Sequence, residues 1–113
     1  MSIEFIAAWR AVAEEVHQTA VDKGFYNEHR DRNAGEAIAL IHSELSEVLE
    51  ALRKPEPLKS PKIPEFSEVE EELADVVIRL MDFQEAYGYR VQAAILAKMA
   101  YNKKRPPKHG KKF

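Results

Sequence analysis

Glu44 with Glu47, and Glu72 with Asp75, are the residues whose types and spacing could do chemistry. Each pair is three positions apart in a segment with helical periodicity, and residues three apart share one face of a helix. Each helix can therefore aim two carboxylates at one point, and two such helices side by side would gather four. Like charges packed together repel, and burial raises the cost. A divalent cation relieves that repulsion. An all-oxygen donor set favours a hard ion, Mg2+ or Mn2+, and such an ion serves phosphate chemistry by polarising a phosphoryl oxygen and activating water.

Four helices are expected to position these groups. The first is predicted over Ser2–Lys23, with Ile6, Trp9, Val12, Ala13, Val16 and Ala20 recurring every three or four residues and Gly24 as the stop. The second runs over Asn33–Arg53, its buried stripe expected to include Ile38, Ile41, Leu45, Val48, Leu49 and Leu52. At roughly 100° per residue, Glu44 and Glu47 fall on a flank of that stripe, where a groove between helices would open. The third runs over Ser67–Tyr87, opened by the capping-box spacing Ser67 to Glu70 and closed by Gly88. Leu73, Val76, Val77 and Leu80 are expected inside, with Glu72 and Asp75 again on the flank. The fourth runs over Arg90–Lys104 and stops at Pro106 and Pro107. Its Lys98, Asn102 and Arg105, at steps of four and three, form one polar edge of donors.

Two connectors interrupt this pattern. Phe25–Arg32 is a polar loop holding two aromatics. Lys54–Phe66 holds four of the six prolines, cannot be helical, and is long enough to act as a mobile lid. With no convincing strand alternation and no repeat, the fold class is all-α, a four-helix bundle, and residues 1–113 read as one domain.

Composition narrows the function classes. There is no cysteine, hence no disulfide framework or thiolate metal site, which agrees with a reducing cytoplasm. The first residues do not read as a secretory signal, and no run of 18 apolar residues exists, so no membrane partner is expected. All 19 acidic residues fall in positions 1–97 beside 10 of the basic ones, whereas positions 98–113 hold 7 basic residues and no acid. An acidic body lacks the basic face that nucleic acid requires. The basic tail is either solvated or drawn to an anionic ligand. A di-iron carboxylate site needs a Glu-x-x-His on each of two helices, and only Glu14 with His17 has that spacing.

The runs EAIALIHSELSEVLEALRK, EELADVVIRLMD and KMAYNKKRPPKHGKKF resemble the MazG-like all-α nucleoside triphosphate pyrophosphohydrolases, a superfamily shared with dimeric dUTPases and dCTP pyrophosphatases. The shared pattern is ExxE, a spacer, then ExxD, here with 24 residues between Glu47 and Glu72. The resemblance implies hydrolysis between the α and β phosphates, to a nucleoside monophosphate and pyrophosphate. It implies Mg2+ held by Glu44, Glu47, Glu72 and Asp75, with phosphate contacts from Lys98, Asn102 and Arg105. The segment KGFYNE resembles the region that forms the base pocket, so Phe25 or Tyr26, with Trp9 from the first helix, is expected at the base. Ser43 stands where some relatives carry a further acid, which leaves the number of ions and the proton acceptor open. A homodimer or homotetramer is expected. Two other readings stay in play: a non-catalytic module that binds a nucleotide–metal complex, and a structural oligomerisation bundle.

Overall fold

The computed structural model describes residues 2–26 and 32–113. Residues 27–31, the middle of the expected aromatic loop, lie outside the described residues. The chain forms α1 (Ser2–Asp22), α2 (Ala34–Arg53), α3 (Glu68–Tyr87) and α4 (Val91–Lys103), followed by a short 3-10 turn over Pro107–Gly110. Among the described residues there is no strand, only one isolated antiparallel bridge between Lys59 and Ser67. Among the described residues no helix is long and apolar enough to cross a membrane.

Local chemistry sets the helix ends. The Asn33 side chain accepts from the Glu36 amide at 2.8 Å and opens α2. Ser67 and Glu70 form a reciprocal capping box at the start of α3. Gly24 (φ 86°) and Gly88 (φ 74°) take the left-handed conformation that closes α1 and α3 and that side chains resist. After α1 the amides of Gly24 and Phe25 return to the carbonyls of Val21 and Ala20. That reversal fixes where Phe25 leaves the helix.

Helix α3 is central, packed against α2 on one side and α1 on the other, and α4 lies on α1. The interior is small and partly polar. Ala13, Ala37, Val48 and Met81 are buried, as are Asp82, Gln84 and Gln92. Gln84 ties three helices together: Trp9 of α1 donates its Nε1–H to Oε1 (2.8 Å), and its own amide donates to Gln92 of α4 (2.9 Å).

The expected apolar stripe of α2 is not covered. Val48 is buried, but Leu45 and Leu49 are exposed and Leu52 is 62 % exposed; Leu73 and Val77 of α3 are open as well. Helix α2 packs on α3, while α1 takes another side of α3 and α4 sits on α1, so among the described residues no helix covers this face. The radius of gyration is 16.6 Å, against about 13 Å for a compact chain of this length.

The proline-rich connector also differs from the expected loose lid. Ser60 is 1 % exposed. Its hydroxyl is hydrogen-bonded to Glu71 and accepts from the amides of Lys62 (3.2 Å) and Ile63 (3.0 Å). Backbone bonds from Ser60 to Phe66 and from Glu68 to Leu58 close the loop onto the start of α3. Proline removes donors but also removes unfolded-state freedom, so a few well-placed bonds suffice to hold the segment.

Candidate metal centre

Helices α2 and α3 bring three of the four expected carboxylates together. Oxygens of Glu44, Glu72 and Asp75 all lie within 4.8 Å of one another. Glu72 and Asp75 come from one turn of α3, and Glu44 faces them from α2. Glu47 is not in this group: it lies one turn further along α2 and is exposed, yet close enough for its charge to act on Glu72.

The electrostatics are those of an uncompensated cluster. Loss of hydration is the largest effect raising the Glu72 proton affinity, followed by the charges of Asp75, Glu71 and Glu44. Asp75 is also raised, first by burial and then by Glu44 and Glu71, while Lys62 and Arg79 pull the other way. Arg79 donates from Nε to Glu44 at 2.8 Å, which joins α3 to α2 at the cluster. Three half-buried oxygen donors meeting at one point, with Glu72 and Asp75 harder to ionise there, fit a hard divalent cation.

A cavity of about 350 Å³ opens beside the cluster. Its lining mixes Val16, Thr19, Ala20, Phe25 and Ile78 with the charged side chains of Glu44, Asp75, Lys62 and Arg79. Lys23, Arg32 and Asp82 complete the wall. Asp82 is buried and fully engaged: it accepts from His17 Nδ1 (2.8 Å), the Tyr26 hydroxyl (2.8 Å) and Arg32 (3.0 Å). A carboxylate offers no proton here, so the His17 proton sits on Nδ1. The Arg32 carbonyl in turn accepts from the Tyr87 hydroxyl.

The aromatic residues divide. Phe25 is 59 % exposed and lines the cavity. Tyr26 is turned inward onto Asp82 and does not line it; burial first, then the Asp82 hydrogen bond, push its phenol up to about 12. Trp9 is held by Gln84 in the packing of α1 on α3, away from the cavity lining.

The α4 edge is elsewhere. Lys98 lies over the Tyr101 ring at 4.7 Å and Arg105 lies over the same ring at 5.6 Å. Lys98 and Asn102 line a shallow groove with Val91, Ala94, Ile95 and Met99, separate from the carboxylate cavity. Asn102 Oδ1 is buried with no hydrogen-bond partner among the described residues. The di-iron spacing is likewise spent locally: Glu14 pairs with Arg10 at 3.0 Å and His17 with Asp82.

The sequence places Arg79 beside Glu72 and Asp75, but sequence reasoning missed Lys23, Arg32, Lys62 and Asp82 as cavity residues. An acid in the apolar run LMDF, seven residues after Asp75 and so on the same helix face, was the available signal for Asp82. Nothing local marked Lys62, because its placement depends on Ser60 meeting Glu71.

Comparison with protein-family models, with curated proteins and with solved structures gives no match for this chain.

Proposed function

We propose that this chain is a Mg2+-dependent nucleoside triphosphate pyrophosphohydrolase of the MazG-like kind, cleaving between the α and β phosphates. The observation that carries the reading is the meeting of Glu44, Glu72 and Asp75 within 4.8 Å, beside a cavity that Glu44 and Asp75 line together with apolar side chains. The cavity volume lies at the lower end of the range usual for small-molecule sites, roughly 300–1,000 Å³. In this reading a base stacks against Phe25, and the phosphates lie toward Glu44, Asp75, Lys62 and Arg79.

Glu44, Glu72 and Asp75 would hold Mg2+, or Mn2+ in its place. When bound, the ion supplies charge neutralisation for the phosphates and a more acidic water. The chain's own residues do the rest. Arg79 keeps Glu44 aimed at the α3 acids. The Asp82 assembly fixes the wall beside the base. Glu47, outside the facing triplet and exposed beside it, accepts the proton of the attacking water. Water oxygen bonds to the α-phosphorus as the bridging α–β bond breaks, giving nucleoside monophosphate and pyrophosphate.

The uncovered apolar face of α2 and α3 supports a homodimer at least, since contiguous exposed apolar surface of this kind marks an interface. Sedimentation showing a monomer at working concentration would contradict it. For the activity, the deciding experiment is a nucleotide panel assayed for pyrophosphate with Mg2+ and with EDTA, the products separated by chromatography. Release of orthophosphate alone, or no metal-dependent product from any nucleotide, would refute the reading. Nucleotide–metal binding without turnover would favour the non-catalytic module instead.

A further inference from the structure

Among the cations lining the cavity, Lys62 differs from the rest. Arg79 is committed to Glu44 and Arg32 to Asp82. Lys23 follows α1, two residues before Phe25, and belongs to the α1 side of the lining. Lys62 is 80 % exposed, and the nearest carboxylate is Glu71, at 3.9 Å, the outer limit of an ion pair. Its charge nonetheless acts on Asp75. The ammonium is therefore at the acidic mouth but not consumed there.

The backbone beneath Lys62 is fixed. The buried Ser60 hydroxyl accepts from the Lys62 amide itself and from that of Ile63, and it is anchored to Glu71, the residue preceding Glu72. A cation on a flexible stem, carried by a hydrogen-bonded turn and held among the described residues only by a long ion pair to Glu71, suits a ligand that arrives bringing negative charge. Having little ordering left to lose, the turn adds little entropy cost on binding.

Resting on the reading of this cavity as a polyphosphate site, we propose that Lys62 binds the terminal phosphates of the substrate, the part that leaves as pyrophosphate, and that Ser60 is its positioning residue. The chain then supplies its main phosphate cation from the proline-rich connector, not from α4. As the bridging bond breaks, the negative charge growing on the leaving oxygen is met by the Lys62 ammonium, which needs no proton transfer to do so.

The test uses two probes on the full chain, Mn2+ alone and inorganic tripolyphosphate with Mg2+, each measured by calorimetry. Removing a cation from an acidic cluster should favour metal and disfavour polyphosphate. Lys62→Gln should therefore bind Mn2+ as well as the parent or about twofold more tightly, and tripolyphosphate about tenfold more weakly, as expected for one lost charge contact. Lys62→Arg should recover most of the loss. Ser60→Ala should weaken tripolyphosphate and raise hydrogen exchange across residues 58–66, which Lys62→Gln should not do. Equal weakening of both ligands in Lys62→Gln would reduce Lys62 to a structural residue and overturn the proposal. So would unchanged tripolyphosphate affinity in Lys62→Gln where the parent hydrolyses nucleotides. A parent that neither binds Mn2+ nor hydrolyses any nucleotide would overturn the functional reading and this inference with it.

Discussion

Asp75 and Asp82 stand two turns apart on α3 and line the same cavity, yet they are opposite solutions to one problem. Asp82 is the more deeply buried and is surrounded by three donors, two of them cationic or able to become so. Asp75 is less buried and faces other carboxylates, with Lys62 and Arg79 offsetting only part of their field. A buried acid whose lone pairs are filled by its own chain is a structural joint. An acid whose neighbours repel it is unfinished until something positive arrives. The comparison locates the site better than burial or charge alone would.

The largest effect should separate the two by activity. Asp75→Asn or Glu72→Gln removes one metal donor while keeping shape. We expect Mg2+-dependent pyrophosphate release to fall about a thousandfold, equivalent to about 4 kcal/mol. The same variants should melt a few degrees higher than the parent in EDTA, because they remove repulsion. A lower melting point in EDTA would mean that these acids are structural like Asp82, and the contrast would fail.

Asp82→Ala should do the reverse, with stability as its readout. It strands His17, Tyr26 and Arg32 without their shared acceptor, and breaking a buried ion pair by removing one partner costs roughly 3–5 kcal/mol. Urea unfolding at fixed protein concentration measures it. A loss under about 1 kcal/mol would show that the three donors find water or each other instead.

Third in size is the linkage between metal and pH. Glu72 and Asp75 are raised in the folded chain above their ordinary values of 4.5 and 3.8. A raised acid contributes stability that is full below its ordinary value and lost as pH rises through the folded one. Metal-free protein should therefore lose this contribution as pH climbs from about 4 toward neutrality, where both groups ionise against each other. Mg2+ should restore it: at a hundred times its dissociation constant a ligand stabilises by about 2.7 kcal/mol. The Mg2+-induced rise in melting temperature should be large at pH 8 and absent at pH 4. Equal rises at both would place the ion elsewhere.

The same contrast explains what could be read in the sequence. Helix ends were legible because their causes are local: Asn33 caps with its own side chain, Ser67 and Glu70 cap each other, and Gly88 takes a conformation other residues avoid. The carboxylate doublets were legible because three-residue spacing on a helix fixes a shared face. The convergence of Glu44 with Glu72 and Asp75 followed from that, but the exclusion of Glu47 depends on how α2 is rotated against α3. Leu45, Leu49 and Leu52 carry the core pattern of any amphipathic helix, and periodicity does not say whether the apolar face meets its own chain. Lys98 and Arg105, expected at phosphate, both lie over Tyr101, three and four residues away on their own segment, a local contact that their spacing equally allows. Lys62 was invisible because a proline-rich run looks mobile until a distant acid captures its serine.

The smallest effect concerns two adjacent residues on the cavity's other side. Phe25 and Tyr26 look interchangeable in sequence, but one faces the cavity and the other faces Asp82. Tyr26→Phe removes one of three donors to a buried carboxylate and should cost about 1 kcal/mol of stability, with KM unchanged. Phe25→Ala removes an exposed ring, should leave unfolding within about 0.5 kcal/mol of the parent, and should raise KM for nucleotides several-fold. Inorganic tripolyphosphate has no base to stack, so its affinity should not move in Phe25→Ala. If it weakens as much as nucleotide binding does, Phe25 shapes the whole cavity and does not read the base, and the apolar lining must be assigned to another part of the substrate.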